Sequence, residues 1–377
     1  MGARNLFFGV LFGIALTVYL NLQRYINSVD ESQPPTPRLV AQPVSIDRTI
    51  EHSPVEALST ETIAAELAQV DIGSNQNTSV EQETHRQVST ELSLKQLLQR
   101  SIEPTTVRVP TVNQLTRFET LIAQSLRQRL PDNKQLDSKL VQRWHADGWA
   151  VSLCGADNDI MVISEQPENR SGRGIYAIRL GTKSNVFLQA PHRFFDSQSG
   201  LIVRQLFQDH PIKAAAWNSV HRRQIDLSHT NHHFLNAFTR AVVTTDPASV
   251  VAQIHGFGNE KQQAMTGDVA AIISNGTRFP DRLAIATAAE LKQAMGASSI
   301  RLFPNEVQQL GGTRNRQGEL MRQLGASGFL HIELDSKYRD QLRKEASKRS
   351  EFFRSFCLLY TSPSPRDQRG SRMPSSA

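Results

Sequence analysis

The chain has 377 residues, 39% of them hydrophobic, a mean hydropathy of −0.38 and a formal net charge of +6. That length suits one large domain or two small ones, in a soluble composition diluted by polar sequence. Of two cysteines, Cys357 falls in a tail expected to be foreign, and Cys154 alone makes no intrachain disulfide and no cysteine metal cluster, while scattered arginines with no zinc-finger spacing argue against a nucleic-acid partner.

Residues 1–26 carry Arg4 and then an apolar run from Leu6 to Leu22, the lower limit for a spanning helix. A secretory signal has the same pattern, but no small-x-small cleavage site follows, so the segment is expected to be an uncleaved membrane anchor. Residues 27–110 hold Pro34-Pro35-Thr36-Pro37, 12 acids and 6 bases, and almost no aromatics. Such composition buries too little apolar surface to offset chain entropy, and predicts a disordered linker with short helical patches, one at Leu92 to Leu98. The polar body predicts export. Residues 111–356 form the expected globular domain. With 31 bases and 23 acids it is basic, which predicts an anionic substrate, polyanion or membrane surface as partner.

Within that domain, Leu115, Phe118, Leu121, Ile122 and Leu126 recur at helical spacing. Trp149–Leu153, Ile160–Ser164 and Gly174–Leu180 read as strands, and Cys154, next to the first, reads as a buried small hydrophobe. A strand at Val186–Leu188, a helix at Leu201–Phe207, a strand or buried segment at Ala214–Val220 and a helix at Asn231–Val243 come next. Strands at Val250–His255 and Asp268–Gly276, a helix at Thr287–Met295 and a strand at Gly328–Glu333 complete the pattern. Alternation of this kind predicts an α/β fold whose mixed, mostly parallel sheet carries helices on both faces. Residues 357–377 are foreign in character. Cys357-Leu-Leu-Tyr-Thr-Ser-Pro-Ser-Pro-Arg-Asp367 and Ser371-Arg-Met-Pro-Ser-Ser-Ala377 resemble translated sequencing-adapter sequence, so the native reading is expected to run only to about Phe356.

The chemistry gathers at strand ends, where open α/β sheets bind ligands. Pro191 stops the run Val186–Leu188 and delivers His192 and Asp196. His255 ends a second run before Gly256-Phe257-Gly258, small residues that leave room for a metal or substrate. Glu333 ends a third. His, Asp, His and Glu are the parts of a hydrolytic zinc site: two imidazoles and a carboxylate that leave a position open for water, and a base beside it. Each has a plainer alternative. Asp196 is also a candidate helix N-cap after a turn histidine, His255 a satisfied core histidine, and Glu333 the partner of an arginine. Asn218, Arg222 and Arg223 lie in a stretch dense in groups that grip carboxylates or phosphates, and Arg314 and Arg316 precede a later helix. A solvated turn is the alternative there.

Asn315-Arg-Gln-Gly318, Gly328-Phe-Leu-His-Ile-Glu333-Leu and Tyr338-Arg339, in this order after His192 and His255, resemble the zinc carboxypeptidase-like superfamily. The N-formylglutamate amidohydrolase and deacylase branch is nearest, over about residues 185–340. The resemblance implies zinc held by His192, Asp196 and His255, Glu333 as the base, and a substrate carboxylate held by Asn218, Arg222, Arg223 or Arg316. The family motif His-x-x-Glu is here His192-x-x-x-Asp196, which puts Asp196 in question as a ligand. The resulting expectation is a membrane-tethered, exported zinc-dependent hydrolase of an amide bond in an anionic acyl-amino acid or peptide. The rival expectation is a non-catalytic envelope protein of the same fold that binds a cell-wall polymer or partner.

Overall fold

The structure is a computed structural model that describes residues 93–100, 106–129, 135–263, 265, 267–296 and 299–361. The expected anchor (1–26), most of the linker and residues 362–377 of the adapter-like tail lie outside them. Among the described residues no helix is long and apolar enough to cross a membrane.

The folded part opens before residue 111. Helix α1, Leu94–Arg100, belongs to the stretch expected as linker, yet Leu94 and Leu98 are buried in the main core. The guanidinium groups of Arg193 and Arg170 hold the Leu98 and Arg100 carbonyls at 2.6 and 2.7 Å. Helix α2, Val112–Leu126, starts at a capping box between Thr111 and Gln114 and buries Phe118, Leu121, Ile122 and Leu126. Helix α3 (Ser138–Ala146) is capped by Asp137 and buries Leu140 and Trp144.

Strands β1 (Trp149–Cys154), β2 (Ile160–Glu165) and β3 (Ile175–Arg179) follow, then β4 (Val186–Ala190), helix α4 (Ser199–Asp209) and β5 (Ala214–Trp217). Helix α5 (Phe234–Thr245) leads to β6 (Val250–Gly256), the short helix α6 (Asn259–Gln263), β7 (Ala271–Ser274) and helix α7 (Arg282–Met295). Strand β8 (Ile300–Leu302), helix α8 (Arg316–Gln323) and β9 (Phe329–Leu334) complete the sheet, and helices α9 (Ser336–Lys344) and α10 (Ala346–Thr361) end the described chain.

The nine strands form one sheet in the order β1-β2-β3-β5-β4-β6-β9-β7-β8. Its centre, β5-β4-β6-β9, is parallel. The flanks correct the expectation of a mostly parallel sheet. β1, β2, β3 and β5 pair antiparallel in turn, and β7 runs antiparallel to β9 while pairing parallel with β8. A parallel neighbour needs a crossover of a dozen or more residues. The turn 155–159 between β1 and β2 is far shorter, and Gly155 and Asn158 supply its left-handed residues at φ +98° and +52°.

Helices cover both faces. Under α4, α7, α9 and α10 lie Leu188, Ala252, Ile273 and Ile332. Under α2, α5 and α8 lie Phe187, Val251 and Phe329. Residues one apart on a strand face opposite ways, so the second face continues toward the carboxyl ends as Gln189, Gln253, His255, His331 and Glu333, all buried.

Candidate metal centre

Three of these parts meet. Past β4, the Asp196 amide donates to the His192 carbonyl at 2.8 Å, a turn that brings both side chains to one side. β6 supplies His255 from the neighbouring strand. His192 Nδ1, His255 Nδ1 and Asp196 Oδ2 then form a triangle with sides of 3.1, 3.2 and 3.3 Å. A tetrahedral ion with ligand bonds of about 2.0 Å has ligand–ligand edges of about 3.3 Å, so the triangle matches one face of such a shell. All three residues are buried. The Asp196 carboxylate serves this cluster rather than a helix cap, since α4 is preceded by Gln198 with no side-chain cap bond.

The far side of each ring offers an acceptor to Nε2. His192 Nε2 lies 2.8 Å from Asp226 Oδ1, so it carries hydrogen and donates to that carboxylate. His255 Nε2 lies 3.3 Å from Gln253 Oε1. The Gln253 amide is oriented by its neighbours: its Oε1 accepts from Asn315 Nδ2 at 2.6 Å, and its Nε2 donates to Gln189 and Gln317 oxygens at 2.8 and 3.0 Å. In the tautomer with both Nε2 atoms protonated, two bare imidazole lone pairs and a carboxylate oxygen converge on one buried point. That donor set repels itself unless a cation or an extra proton sits among it, and acceptors behind metal-ligating histidines are the usual arrangement. Burial pushes the His192 ring down, but the bonds to Asp196 and Asp226 outweigh it and raise its pKa. Burial pushes Asp196 up, but bonds from His192 and His255 hold the carboxyl well below its usual range. His255 is lowered, chiefly by burial.

Glu333 pairs in register with His255 across β6 and β9 and shares its face of the sheet. Among the described residues its ion-pair neighbour is His331, with Nε2 3.8 Å from Oε1, and no arginine stands within salt-bridge distance. Burial and the Asp196 charge push its carboxyl up to about 8. His331 stacks on His255 with centroids 4.5 Å apart and planes at 27°. His255, His331 and Glu333 are a second grouping of potential ligands, but the 3.8 Å gap exceeds the edge of a tetrahedral shell at about 2.0 Å. Gly312, at φ +61°, lets the loop before α8 cross the His331 ring, where a Cβ would collide with it.

A cavity of about 270 Å³ opens on these groups, lined by His192, His255, His331, Glu333 and the loop Leu310–Asn315. Arg222, Arg278 and Arg314 stand around it. Arg222 is tied to Asp226 at 3.0 Å and lies over the Phe195 ring. Arg278 rides a loop braced by Asn275 and Thr277, whose side chains donate to the Phe279 carbonyl at 2.9 and 2.8 Å.

The other expected anion-binding residues are placed differently. Asn218 does not line the cavity: it donates to the Pro191 and Val220 carbonyls, both at 2.6 Å, and accepts from the Val220 amide, so it braces the turn that carries His192. Arg223 does not line it either, and Arg316 faces an adjoining cavity with Glu319 at 2.6 Å. The room expected beside Gly256 is filled by the Arg339 guanidinium, which donates to the Phe257 carbonyl at 3.1 Å. Sequence reasoning missed Asp226, Gln253 and Arg278. Asp226 sat inside the singled-out stretch 218–229, and a carboxylate there was the available signal.

No family model and no curated protein matches the chain. Among solved structures, N-formylglutamate amidohydrolase from Ralstonia eutropha is similar at 12% identity and a TM-score of 0.35, over 52% of this chain and 98% of that one. A bacteriophage poly-gamma-glutamate hydrolase is similar at 8% identity and a TM-score of 0.33, over 51% of this chain and 87% of that one. Similarity this low establishes no family for the chain.

Proposed function

We propose that this protein is a zinc-dependent hydrolase of an amide bond in an anionic acyl-amino acid or peptide. The observation that carries the reading is the buried triangle of His192 Nδ1, His255 Nδ1 and Asp196 Oδ2, with both rings anchored from behind. A bound zinc ion would supply Lewis acidity to the scissile carbonyl and activate a water molecule. Glu333, at the cavity wall beside His255, takes the proton from the attacking water and passes it to the leaving amine. A carboxyl raised by burial suits that exchange, and a neighbouring cation brings it back toward neutrality. Arg222, Arg278 and Arg314 hold an anionic group of the substrate at the cavity. The buried side-chain ladder Asn315–Gln253–Gln189–Thr239 keeps the His255 ring from turning.

The test is metal analysis of the purified full chain after exposure to zinc. One zinc per chain is expected, lost in His192→Ala and in His255→Ala. No stoichiometric zinc in the wild type, or zinc unchanged in both variants, sinks the reading. We further propose that Leu6–Leu22 anchors the protein in a membrane with the domain outside the cytoplasm, supported by the apolar run and the polar linker after it. Protease added to intact spheroplasts should release a compact basic fragment. Cleavage only after lysis would place the domain inside.

A further inference from the structure

The metal cavity does not stand alone. A second cavity, of about 460 Å³, shares His229, Thr313 and Arg314 with it and is otherwise lined by Arg316, Glu319 and Arg322. The metal cavity by itself falls just short of the roughly 300–1,000 Å³ usual for small-molecule sites, and the two together fall within it. Charge in the second chamber is one-sided. Its single acid, Glu319, is engaged by Arg316 at 2.6 Å. Arg314 makes no ion pair among the described residues, and Arg322 donates only to the Asn275 carbonyl, at 3.3 Å. The Nε of Arg316 is buried without a hydrogen-bond partner. Nor is the wall loose: the Asn315 amide donates to the Gly312 carbonyl at 2.9 Å, and the Asn315 side chain caps α8, fixing Arg314 between the two cavities. One anionic group in the metal cavity already has Arg222, Arg278 and Arg314 around it. Arg316 and Arg322 then have no role in holding a substrate with a single acidic residue.

We propose that the substrate is an acidic oligopeptide, and that the acidic group one residue or more beyond the scissile unit is held in the second chamber by Arg316 and Arg322. Guanidinium forks grip carboxylates bidentately, and two of them beyond those around the metal cavity favour a chain carrying repeated acidic groups over a single acyl-amino acid. This rests on the hydrolase reading for the identity of the scissile bond, but not for the binding itself.

The experiment uses the full chain with Glu333→Gln, loaded with zinc, so that binding is measured without turnover. Calorimetry compares N-acetyl-glutamate, N-acetyl-triglutamate and N-acetyl-triglutamine. The triglutamate should bind at least ~10-fold more tightly than either of the others, and by less as salt rises. Adding Arg322→Gln or Arg316→Gln should cut its advantage over N-acetyl-glutamate to within ~3-fold. Equal affinity for triglutamate and N-acetyl-glutamate overturns the proposal, as does an advantage untouched by both substitutions, which would make the chamber solvated surface only. Failure of the hydrolase reading is separable: wild type would then leave all three compounds intact, whatever their affinities.

Discussion

The two faces of the central strands are equally buried and chemically opposite. On β6, Val250, Ala252 and Ile254 face one way, and Val251, Gln253 and His255 the other. On β9, Leu330, Ile332 and Leu334 oppose Phe329, His331 and Glu333. The first face is apolar along its whole length. The second is apolar at the amino ends and polar at the carboxyl ends, where the cavity opens on it. Polar groups in such a place cost free energy unless paired, and here Gln189, Gln253, Asn315 and Gln317 pair with one another, while His331 Nδ1 is buried without a hydrogen-bond partner among the described residues. A fold that needed only stability could carry apolar residues on both faces. The one-residue alternation lets the same strands supply cohesion on one side and a grouping of potential metal ligands on the other.

The comparison breaks first at the metal ligands. His192→Ala or His255→Ala should abolish stoichiometric zinc and turnover. Leu330→Ala, on the opposite face, should cost about 2–5 kcal/mol of stability yet leave zinc per folded molecule intact. Zinc lost equally in all three would mean that the ligand face has no separate role. Glu333→Gln should retain zinc and lower turnover ~10²–10⁴-fold. Its effect on stability has a definite sign. The folded carboxyl, at about 8, lies above the ordinary value of 4.5. Metal-free wild type therefore loses stability as pH rises from 4.5 through 8. At pH 9 the chelator-treated variant should melt several degrees above wild type. A lower melting point with normal turnover would remove Glu333 from the mechanism.

Much of this was legible because polar residues interrupt apolar strands. His255 and Glu333 each end a run that would otherwise read as core, and His192 and Asp196 follow one that Pro191 stops. What stayed hidden depends on pairing across the fold. Asp226 meets His192 from 34 residues away, and nothing in a turn rich in Arg and His marks its carboxylate as the partner of that imidazole. Asn218 looked like a substrate ligand because its chemistry is right, but its amide closes a turn on Pro191 and Val220. Leu94 and Leu98 were hidden by the linker composition around them. The antiparallel flank was in principle visible, since β1, β2 and β3 follow one another with no helix between them, and only the general alternation of strands and helices obscured it.

A buried imidazole outside the ligand set sharpens the contrast. His233, just before α5, has no carboxylate within ion-pair distance among the described residues, and burial pushes it down to about 4. Its folded pKa lies below the ordinary 6.5, so the unfolded chain takes up the proton first. Stability should fall by about 3 kcal/mol as pH drops from 6.5 toward 4. Denaturant titrations of His233→Phe should show a shallower decline over that window. An identical decline would assign acid sensitivity to other groups.

The smallest effect expected is at Asp226, and it asks whether the face is organised beyond its ligands. Asp226 Oδ1 accepts from His192 Nε2 and, at 3.1 Å, from the Ser228 amide, while Oδ2 accepts from Arg222 at 3.0 Å. Burial pushes this carboxyl up, but the bond from His192 outweighs it and holds the group well below its usual range. Asp226→Asn keeps the shape and one acceptor oxygen. It removes the charge that keeps hydrogen on Nε2 and leaves Nδ1 free for the cation. Zinc affinity should fall ~10–100-fold, the usual effect of losing a partner behind a metal-bound histidine, with His255 and Asp196 still in place. Competition with a chelating dye measures this directly, and turnover at saturating zinc should recover most of the loss. An affinity unchanged in Asp226→Asn would mean that His192 is oriented by the Ser228 hydroxyl, 3.1 Å from its Nε2, and the turn alone, and the polar face would then be organised by its ligands and the glutamine ladder without the carboxylate behind them.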